Sequence, residues 1–409
     1  MANTIVGLDL GTTKIACIIA EVDRDELKIV GVGTCNSTEG LRRGVVVNLE
    51  KTAKAIEKAV SDAEQMAGIK VDSVYAGIAG DHIRSINSRG VIAVARGSQE
   101  ITQSDVDRVI DAAQAVYVPM DREMLHVIPQ GFIVDTQRGI KDPIGMSGVR
   151  LEAEVHIVTG AVTSAQNLIR CANSAVLNVH EIVLEQLASS ESVLTQDEKD
   201  LGVALVDIGG GTSDLAIFAN GSIKHTAVLA LGGNQVTTDL AFGLQTPIAE
   251  AEEIKKKWGC CRAALAYPDE TIEVQGVGGR GPRTLSRGVM SEIIEPRVNE
   301  IFSLIKREIQ MSGFEDMLSS GLVLTGGSSL IAGIEPLAEE VFQRPVRVGV
   351  PVRVGGLTDV VSNPQFATAV GLLLYGKRDA EGKRFSNRDE NSLARVVRRV
   401  RAWFEGLFF

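Results

Sequence analysis

Two stretches of the chain place acids, glycines and hydroxyls where a phosphate can be gripped: DLGTTK, Asp9 to Lys14, and DIGGGTSD, Asp207 to Asp214. Each lies between two apolar, β-branched runs, so each reads as the turn of a hairpin. Glycines in such a turn (Gly11 in the first; Gly209, Gly210 and Gly211 in the second) let backbone N–H groups approach an anion closely, and Thr12, Thr13, Thr212 and Ser213 add hydroxyl donors. Asp9 and Asp207 repel phosphate directly, but both can hold Mg²⁺ through its waters and leave the metal to bridge nucleotide oxygens. Lys14 supplies compensating charge. Either turn alone is as readily a structural hairpin. The two together favour a nucleotide clamp.

Two more glycine pairs stand at strand ends. Gly326-Gly327, with Ser328 and Ser329 after it, follows a β-rich run and precedes a helical pattern, a turn that can lie flat against a purine and ribose. Gly232-Gly233 follows a strand ending at Leu231. Two familiar phosphate patterns fail on context. Gly276, Gly278 and Gly281 satisfy G-x-G-x-x-G, but Pro282 follows and no helix opens there, which reads as a surface hairpin. Gly371, Gly376 and Lys377 approach a P-loop, yet Arg378 stands where Ser or Thr must reach magnesium, and Leu372 to Tyr375 read as buried helix.

The positioning elements are legible around the turns. Thr4 to Ala20 reads as a hairpin, Leu27 to Cys35 as a third strand and Leu49 to Ala67 as a helix. After residue 200 the series returns: Val203 to Val206, a glycine turn, Leu215 to Ala219, then Ile223 to Leu231. VGLDLGTTKIACIIA and ALVDIGGGTSDLAIFA share strand, aspartate, turn and strand, which suggests a duplication. Between the repeats, residues 84 to 162 mix strands (Gly90 to Ala95, Phe132 to Asp135, Leu151 to Val158) with a helix, Ser104 to Val116, for which Ser104 is the expected N-cap. Residues 237 to 302 form a second insertion with a helix Pro247 to Trp258. Lys377 to Ser392, charged and poor in apolar residues, reads as a flexible linker.

With 409 residues and 44% hydrophobic content the chain can bury more than one core. Net charge −10 disfavours a general nucleic-acid binder. Cys17, Cys35, Cys171, Cys260 and Cys261 form no C-x-x-C pair, which favours reduced thiols and argues against a zinc site. His126 and His156 have no metal-ligand spacing. Arg297, Glu300 and Lys306 read as a solvated helix face as readily as a peptide groove. The start lacks a signal-peptide pattern, and no apolar run approaches the ~20 residues that span a bilayer. Any membrane contact is expected at the surface, and NSLARVVRRVRAWFEGLFF at the end supplies one. Leu393, Val396, Val397, Val400, Trp403, Phe404, Leu407 and Phe408 recur at three- and four-residue spacing, with Arg395, Arg398, Arg399 and Arg401 beside them. Residues 393–409 are expected to form an amphipathic helix lying on anionic lipid.

From residue 5 to about 375 the chain resembles the actin, Hsp70 and sugar kinase superfamily. The resemblance implies an α/β fold of the actin-like ATPase type: two RNase H-like domains flanking a nucleotide cleft, with two inserted subdomains. It implies that the Asp9 and Asp207 turns clasp the phosphates, that Gly326-Gly327 takes the adenosine, that Glu252 and Lys255 in AEEIKKKWG lie beside the ribose, and that Glu185 in VLEQLASSESVL orients the attacking water. Gln186 takes the place of a proline common in the chaperones. Sugar kinases need a substrate pocket and a catalytic base, of which the sequence offers no specific sign; a small-molecule kinase stays as the alternative. An Hsp70 carries a long peptide-binding domain where only about 32 residues follow here.

More closely, GLDLGTTK, EGLRRGVV, VLEQLASS, LVDIGGGTSDLAIF, LTGGSSLIAGI and the arginine/aromatic tail resemble the FtsA family of bacterial actin-like cell-division proteins. That likeness implies subdomains 1A (1–83, 163–194 and 358–376), 1C (84–162, for self-association and later division proteins), 2A (195–236 and 303–357) and 2B (237–302, for the C-terminal peptide of FtsZ), a linker at 377–392 and a membrane helix at 393–409. It implies filaments on the cytoplasmic face of the inner membrane at the division site, peripherally attached and anchoring the FtsZ ring, with weak or no ATPase activity.

Overall fold

The two hairpin repeats open two sheets of one plan. The computed structural model describes residues 3–23, 26–94, 100–265 and 270–386. The chain begins with β1 (Asn3–Leu10), β2 (Lys14–Asp23) and β3 (Glu26–Asn36), crosses a loop whose segments β4 (Leu41–Arg42) and β5 (Val45–Val46) pair, and continues as α1 (Leu49–Ala67) and β6 (Ser73–Ile78). Helix α1 has the expected bounds because its signals are local: the Asn48 side chain accepts the Lys51 N–H, Gly68 closes the helix at φ 67°, and Ile56, Ala59, Val60 and Ala63 bury one stripe.

An inserted unit follows: β7 (Arg84–Ala93), α2 (Gln103–Gln114), β8 (Arg122–Val134), β9 (Gln137–Ile140) and β10 (Arg150–Ala161). Its antiparallel sheet, ordered β7-β10-β8-β9, has a core of its own that includes Val109, Phe132, Leu151 and Ile157. Helix α2 starts earlier than the sequence reading placed it. Thr102, not Ser104, is the N-cap, because Thr102 and Asp105 satisfy each other's backbone N–H in a reciprocal capping box.

The chain returns through α3 (Val162–Ser174), β11 (Asn178–Leu184) and α4 (Glu185–Val193), then enters the second lobe with α5 (Gln196–Leu201), β12 (Val203–Ile208), β13 (Ser213–Ala219) and β14 (Ser222–Leu229). Next come α6 (Gly233–Gly243), α7 (Ile248–Trp258), the hairpin β15 (Thr271–Val274) and β16 (Arg283–Ser286), and α8 (Arg287–Ser312). Gly276, Gly278 and Gly281 fall in the connection of that hairpin. Then follow β17 (Leu322–Thr325), α9 (Ile334–Phe342), β18 (Val346–Val348), β19 (Gly355–Gly356), α10 (Thr358–Val361) and α11 (Ala367–Ser386).

The first sheet runs β11-β6-β1-β2-β3-β19 and the second β18-β17-β12-β13-β14. In each, an antiparallel three-strand meander is extended by two parallel strands beside its first strand. The repeat visible in the hairpins thus extends to whole lobes. Two helices join them. At their crossing a Cβ on Gly371 of α11 would lie 1.8 Å from the Ala188 carbonyl oxygen of α4, and Ser192 donates to the Ala367 carbonyl at 2.6 Å.

Several expectations need correction. Strand β19 pairs with Lys28 and Ile29 of β3, so the chain is back in the first sheet by residue 355, before the expected border at 358. Residues 377–386, expected as linker, continue α11. Tertiary ties hold the start of that extension: Arg378 donates to Glu191 at 3.0 Å and Tyr75 to Asp379 at 2.9 Å. Arg297 and Lys306 are not a free solvated face: Arg297 pairs with Asp239 of α6 at 2.5 Å and with Glu300, and Lys306 donates to the Val341 carbonyl at 2.7 Å. The inserted unit also reaches across to β14, the edge of the second sheet. Ser85, Asn87 and Gln130 donate to its Thr226, Lys224 and Ile223 carbonyls at 2.9, 2.9 and 2.7 Å, covering an edge that would otherwise expose unpaired acceptors. The rest of the linker and the tail helix, residues 387–409, lie outside the described residues.

Candidate functional site

A cleft of about 1000 Å³ opens between the lobes, at the upper end of the volumes typical of small-molecule sites. Both glycine turns line it. Asp9 lies one residue before the end of β1, opposite Ala16, and Asp207 lies in β12 opposite Asp214, so each acid sits at the mouth of its hairpin. The turns meet face to face: a Cβ on Gly210 would lie 2.3 Å from Thr13 Cγ2, and one on Gly211 would lie 2.6 Å from Thr12 Oγ1. Only glycine permits that approach.

Behind the second turn stands the start of α6. Gly233 and Asn234 donate their N–H groups to the Gly209 and Gly210 carbonyls at 2.9 and 2.8 Å, and the Ser328 hydroxyl donates to Gly209 at 2.9 Å. With those carbonyls tied back, the N–H groups of Gly210 and Gly211 point the opposite way across their trans peptides. Gly232 and Gly233 are therefore buttresses of the turn rather than residues lining the cleft, a correction to their expected place. Gly326, Gly327 and Ser328 do line it. Gly326 holds φ 83°, and a Cβ there would lie 2.3 Å from Asp207 Oδ1, so the third glycine turn is packed on the acid of the second.

Glu252 and Lys255 reach the cleft from α7 as a pair 2.7 Å apart. Lys255 also donates to the Thr237 hydroxyl at 2.9 Å and to the Gly233 carbonyl at 3.1 Å, tying α7 to the turn that supports the phosphate side. Burial pushes the Glu252 carboxyl up, but Lys255 and the Thr237 hydroxyl outweigh it and hold the group below its usual range. Lys14 donates to the Gln365 carbonyl at 2.8 Å and lies 3.8 Å from the centre of the Phe366 ring. Burial pulls its ammonium down to about 8, against the attraction of Asp9 and Asp207.

Glu185 opens α4 and also lines the cleft. Besides Glu252 and Glu253 on α7, four carboxyls line this space: Asp9, Glu185, Asp207 and Asp214. Burial raises all of them, Asp207 to about 6 and Glu185 well above its usual range, and their mutual repulsion adds to the shift at Asp9, Glu185 and Asp214. The Lys14 ammonium opposes it at Asp9 and Asp207. Such a set calls for a cation. Among the described residues no three His, Cys, Asp or Glu side chains stand close enough to hold a metal directly, so the donors suit a hydrated ion reached through its waters.

Asp214, Asn234, Thr237, Thr238, Gln365 and Thr368 also line the cleft and were not singled out from sequence as site residues. Asp214 had a signal, as the second acid of DIGGGTSD; the others come from turns and helix faces that tertiary packing brings in. Gln186, buried in α4, donates to Asp214 at 3.0 Å and to the Ala227 carbonyl at 3.3 Å, a contact between the connecting helix and the second lobe. His126 and His156 are structural. His126 accepts the Leu184 N–H at 2.9 Å, and His156 lies 2.7 Å from Asn87 Oδ1 and 3.0 Å from the Thr226 hydroxyl.

Two family models match the chain: cell division protein FtsA over residues 204–371, and the SHS2 domain inserted in FtsA over residues 80–159. The cell division protein FtsA of Pseudomonas aeruginosa is 50% identical over 412 residues, spanning 99% of this chain and 98% of the relative. That of Escherichia coli K12 is 41% identical, spanning 98% and 96%. Among solved structures, the PilM-PilN type IV pilus biogenesis complex matches with a TM-score of 0.65 at 14% identity, over 91% of this chain and 98% of that one. MreB5 of Spiroplasma citri bound to ADP matches at 0.51 and 14%, over 95% and 99%. The MamK double helical filament matches at 0.53 and 14%, over 91% and 98%. At such low identities the solved structures speak for the actin-like fold alone.

Proposed function

The chain belongs to the FtsA family of cell-division proteins, and we propose that within cell division it binds ATP with Mg²⁺ between its lobes and polymerises on the inner membrane. The observation that carries this is the pair of glycine turns facing each other in a cleft into which Asp9, Glu185, Asp207 and Asp214 crowd. The β- and γ-phosphates would lie between Asp9–Lys14 and Asp207–Thr212, the adenosine against Gly326, Gly327 and Ser328, and the ribose beside Glu252 and Lys255. Asp9 and Asp207 would hold the waters of Mg²⁺, whose charge offsets the crowded carboxyls. MreB5, bound to ADP, and MamK, a double helical filament, support nucleotide binding and self-association as uses of this fold.

Glu185 is proposed to orient a water toward the terminal phosphate. It is the only group assigned to water activation, so hydrolysis is expected to be slow while binding is firm. Closing the lobes on ATP sets the shape that one subunit offers the next, and an open head-to-tail contact propagates into a filament.

The tail, 393–409, is proposed as the anchor on the cytoplasmic face of the inner membrane at the division site. A buried Leu or Phe contributes about 1.5–3 kcal/mol and each Arg near an anionic leaflet about 1 kcal/mol, before the entropy of ordering the helix. One tail binds reversibly; many in a filament bind with avidity. Residues 237–302 are proposed to receive the C-terminal peptide of FtsZ, and 84–162 the later division proteins. Calorimetry tests the cleft: Asp207→Ala should weaken Mg²⁺-dependent ATP binding, and an unchanged affinity would overturn the assignment. Co-sedimentation tests the tail: truncation after Ser392, or Trp403→Glu with Phe404→Glu, should abolish pelleting with anionic vesicles and leave ATP binding intact.

A further inference from the structure

Next to the cleft lies a second, much smaller space of about 10 Å³, room for one water molecule. Leu10, Gly44 and Glu185 line both spaces, so the small cavity adjoins the cleft on the first lobe. His82, in the loop between β6 and β7, lines it too. The His82 Nδ1 accepts the Ala161 N–H at 3.4 Å, which in the neutral ring leaves the proton on Nε2. That Nε2–H is buried without an acceptor among the described residues. Native proteins pair nearly every buried donor with protein or ordered water. Glu185, Ser164 and His82 are the polar side chains of the lining, and about three partners is what a buried water ordinarily has.

We propose that this cavity holds one structural water that accepts the His82 Nε2–H and donates to a Glu185 carboxyl oxygen, making His82 a positioning residue for Glu185. The backbone of β6 sets the other side of the carboxyl: a Cβ on Gly77 would lie 3.1 Å from Glu185 Cγ and 3.3 Å from Oε1. One carboxyl oxygen is held from behind by the bridged water, and the other is left to face the cleft. The consequence for phosphate chemistry rests on the reading that Glu185 orients the attacking water; the water site itself does not.

The test uses the full chain and two variants, His82→Gln, whose amide N–H reaches toward the same space, and His82→Phe, which has no donor. Crystal structures that resolve ordered waters should show one bridging His82 and Glu185 in the wild type, retained in His82→Gln and lost in His82→Phe. Single-turnover hydrolysis of Mg²⁺-ATP should fall roughly five- to tenfold in His82→Phe, the size of one lost hydrogen bond, at unchanged ATP affinity, and recover in His82→Gln. A dry cavity in the wild type overturns the site. A bridging water with full turnover in His82→Phe overturns the positioning role. A bridging water with no wild-type turnover overturns the role given to Glu185 and leaves the site standing, so the two failures are distinct.

Discussion

Replacing Asp207 by Asn separates the charge of the cleft from its shape. Burial pushes the Asp207 carboxyl from 3.8 up to about 6, even with the Thr368 and Ser189 hydroxyls and Lys14 pulling it down. Between those pH values the folded chain keeps a proton that the unfolded chain has released, so stability falls as pH rises through this window. At about 1.4 kcal/mol per unit, a rise of about two units corresponds to about 3 kcal/mol. That figure is an upper bound, because the carboxylate faces the cleft and water screens it. Asparagine carries no charge and keeps an oxygen to accept the Thr368 hydroxyl, which donates to Asp207 at 3.2 Å. Nucleotide-free Asp207→Asn is therefore expected to be about 1–3 kcal/mol more stable than the wild type above pH ~7, with the advantage shrinking as pH falls through about 6. Mg²⁺ with ATP should reverse the order, since ligand held by the wild-type acid adds stability by mass action and the variant gains less. Urea denaturation with and without Mg²⁺-ATP, repeated across pH, reads both effects. A variant less stable than the wild type without nucleotide, or equal gains from Mg²⁺-ATP, refutes the reasoning.

Gly371→Val should force the two connecting helices apart, because the new Cβ starts 1.8 Å from the Ala188 carbonyl oxygen; a loss of about 3 kcal/mol or more is expected in thermal denaturation, and an unchanged melting temperature would contradict the packing. His156 is held neutral by burial and by His225 and His126, its imidazole pulled down to about 4 from 6.5. The unfolded chain takes up that proton first as pH falls, so stability is lost between about 6.5 and 4, and His156→Gln should flatten part of that acid limb in denaturation curves.

What could be read from sequence was what neighbouring residues determine. The two acid-glycine hairpins and α1 carry alternation, turn and cap signals within a few positions, and the structure has them in place. The N-cap of α2 was ambiguous because Thr102 and Ser104 each precede an acid three residues on, Asp105 and Asp107; the reciprocal bonds of Thr102 and Asp105 select the earlier. Gly232-Gly233 looked like another cleft turn, but whether such a pair faces a ligand or supports a loop depends on contacts with Gly209 and Gly210, over twenty positions away. The helical course of 377–386 was hidden for the same reason: its charges read as solvated until Glu191 and Tyr75 are brought beside Arg378 and Asp379. Gln365 and Thr368 enter the cleft where α11 begins, and no local pattern marks them.

Nucleotide-dependent polymerisation on a membrane can be seen by electron microscopy of the full chain on an anionic lipid monolayer. With Mg²⁺-ATP the full chain should assemble into filaments on the lipid, and the chain truncated after Ser392 should leave the monolayer bare. A full chain that stays as dispersed single particles on lipid with Mg²⁺-ATP, or a truncated chain that decorates the monolayer equally well, would contradict it.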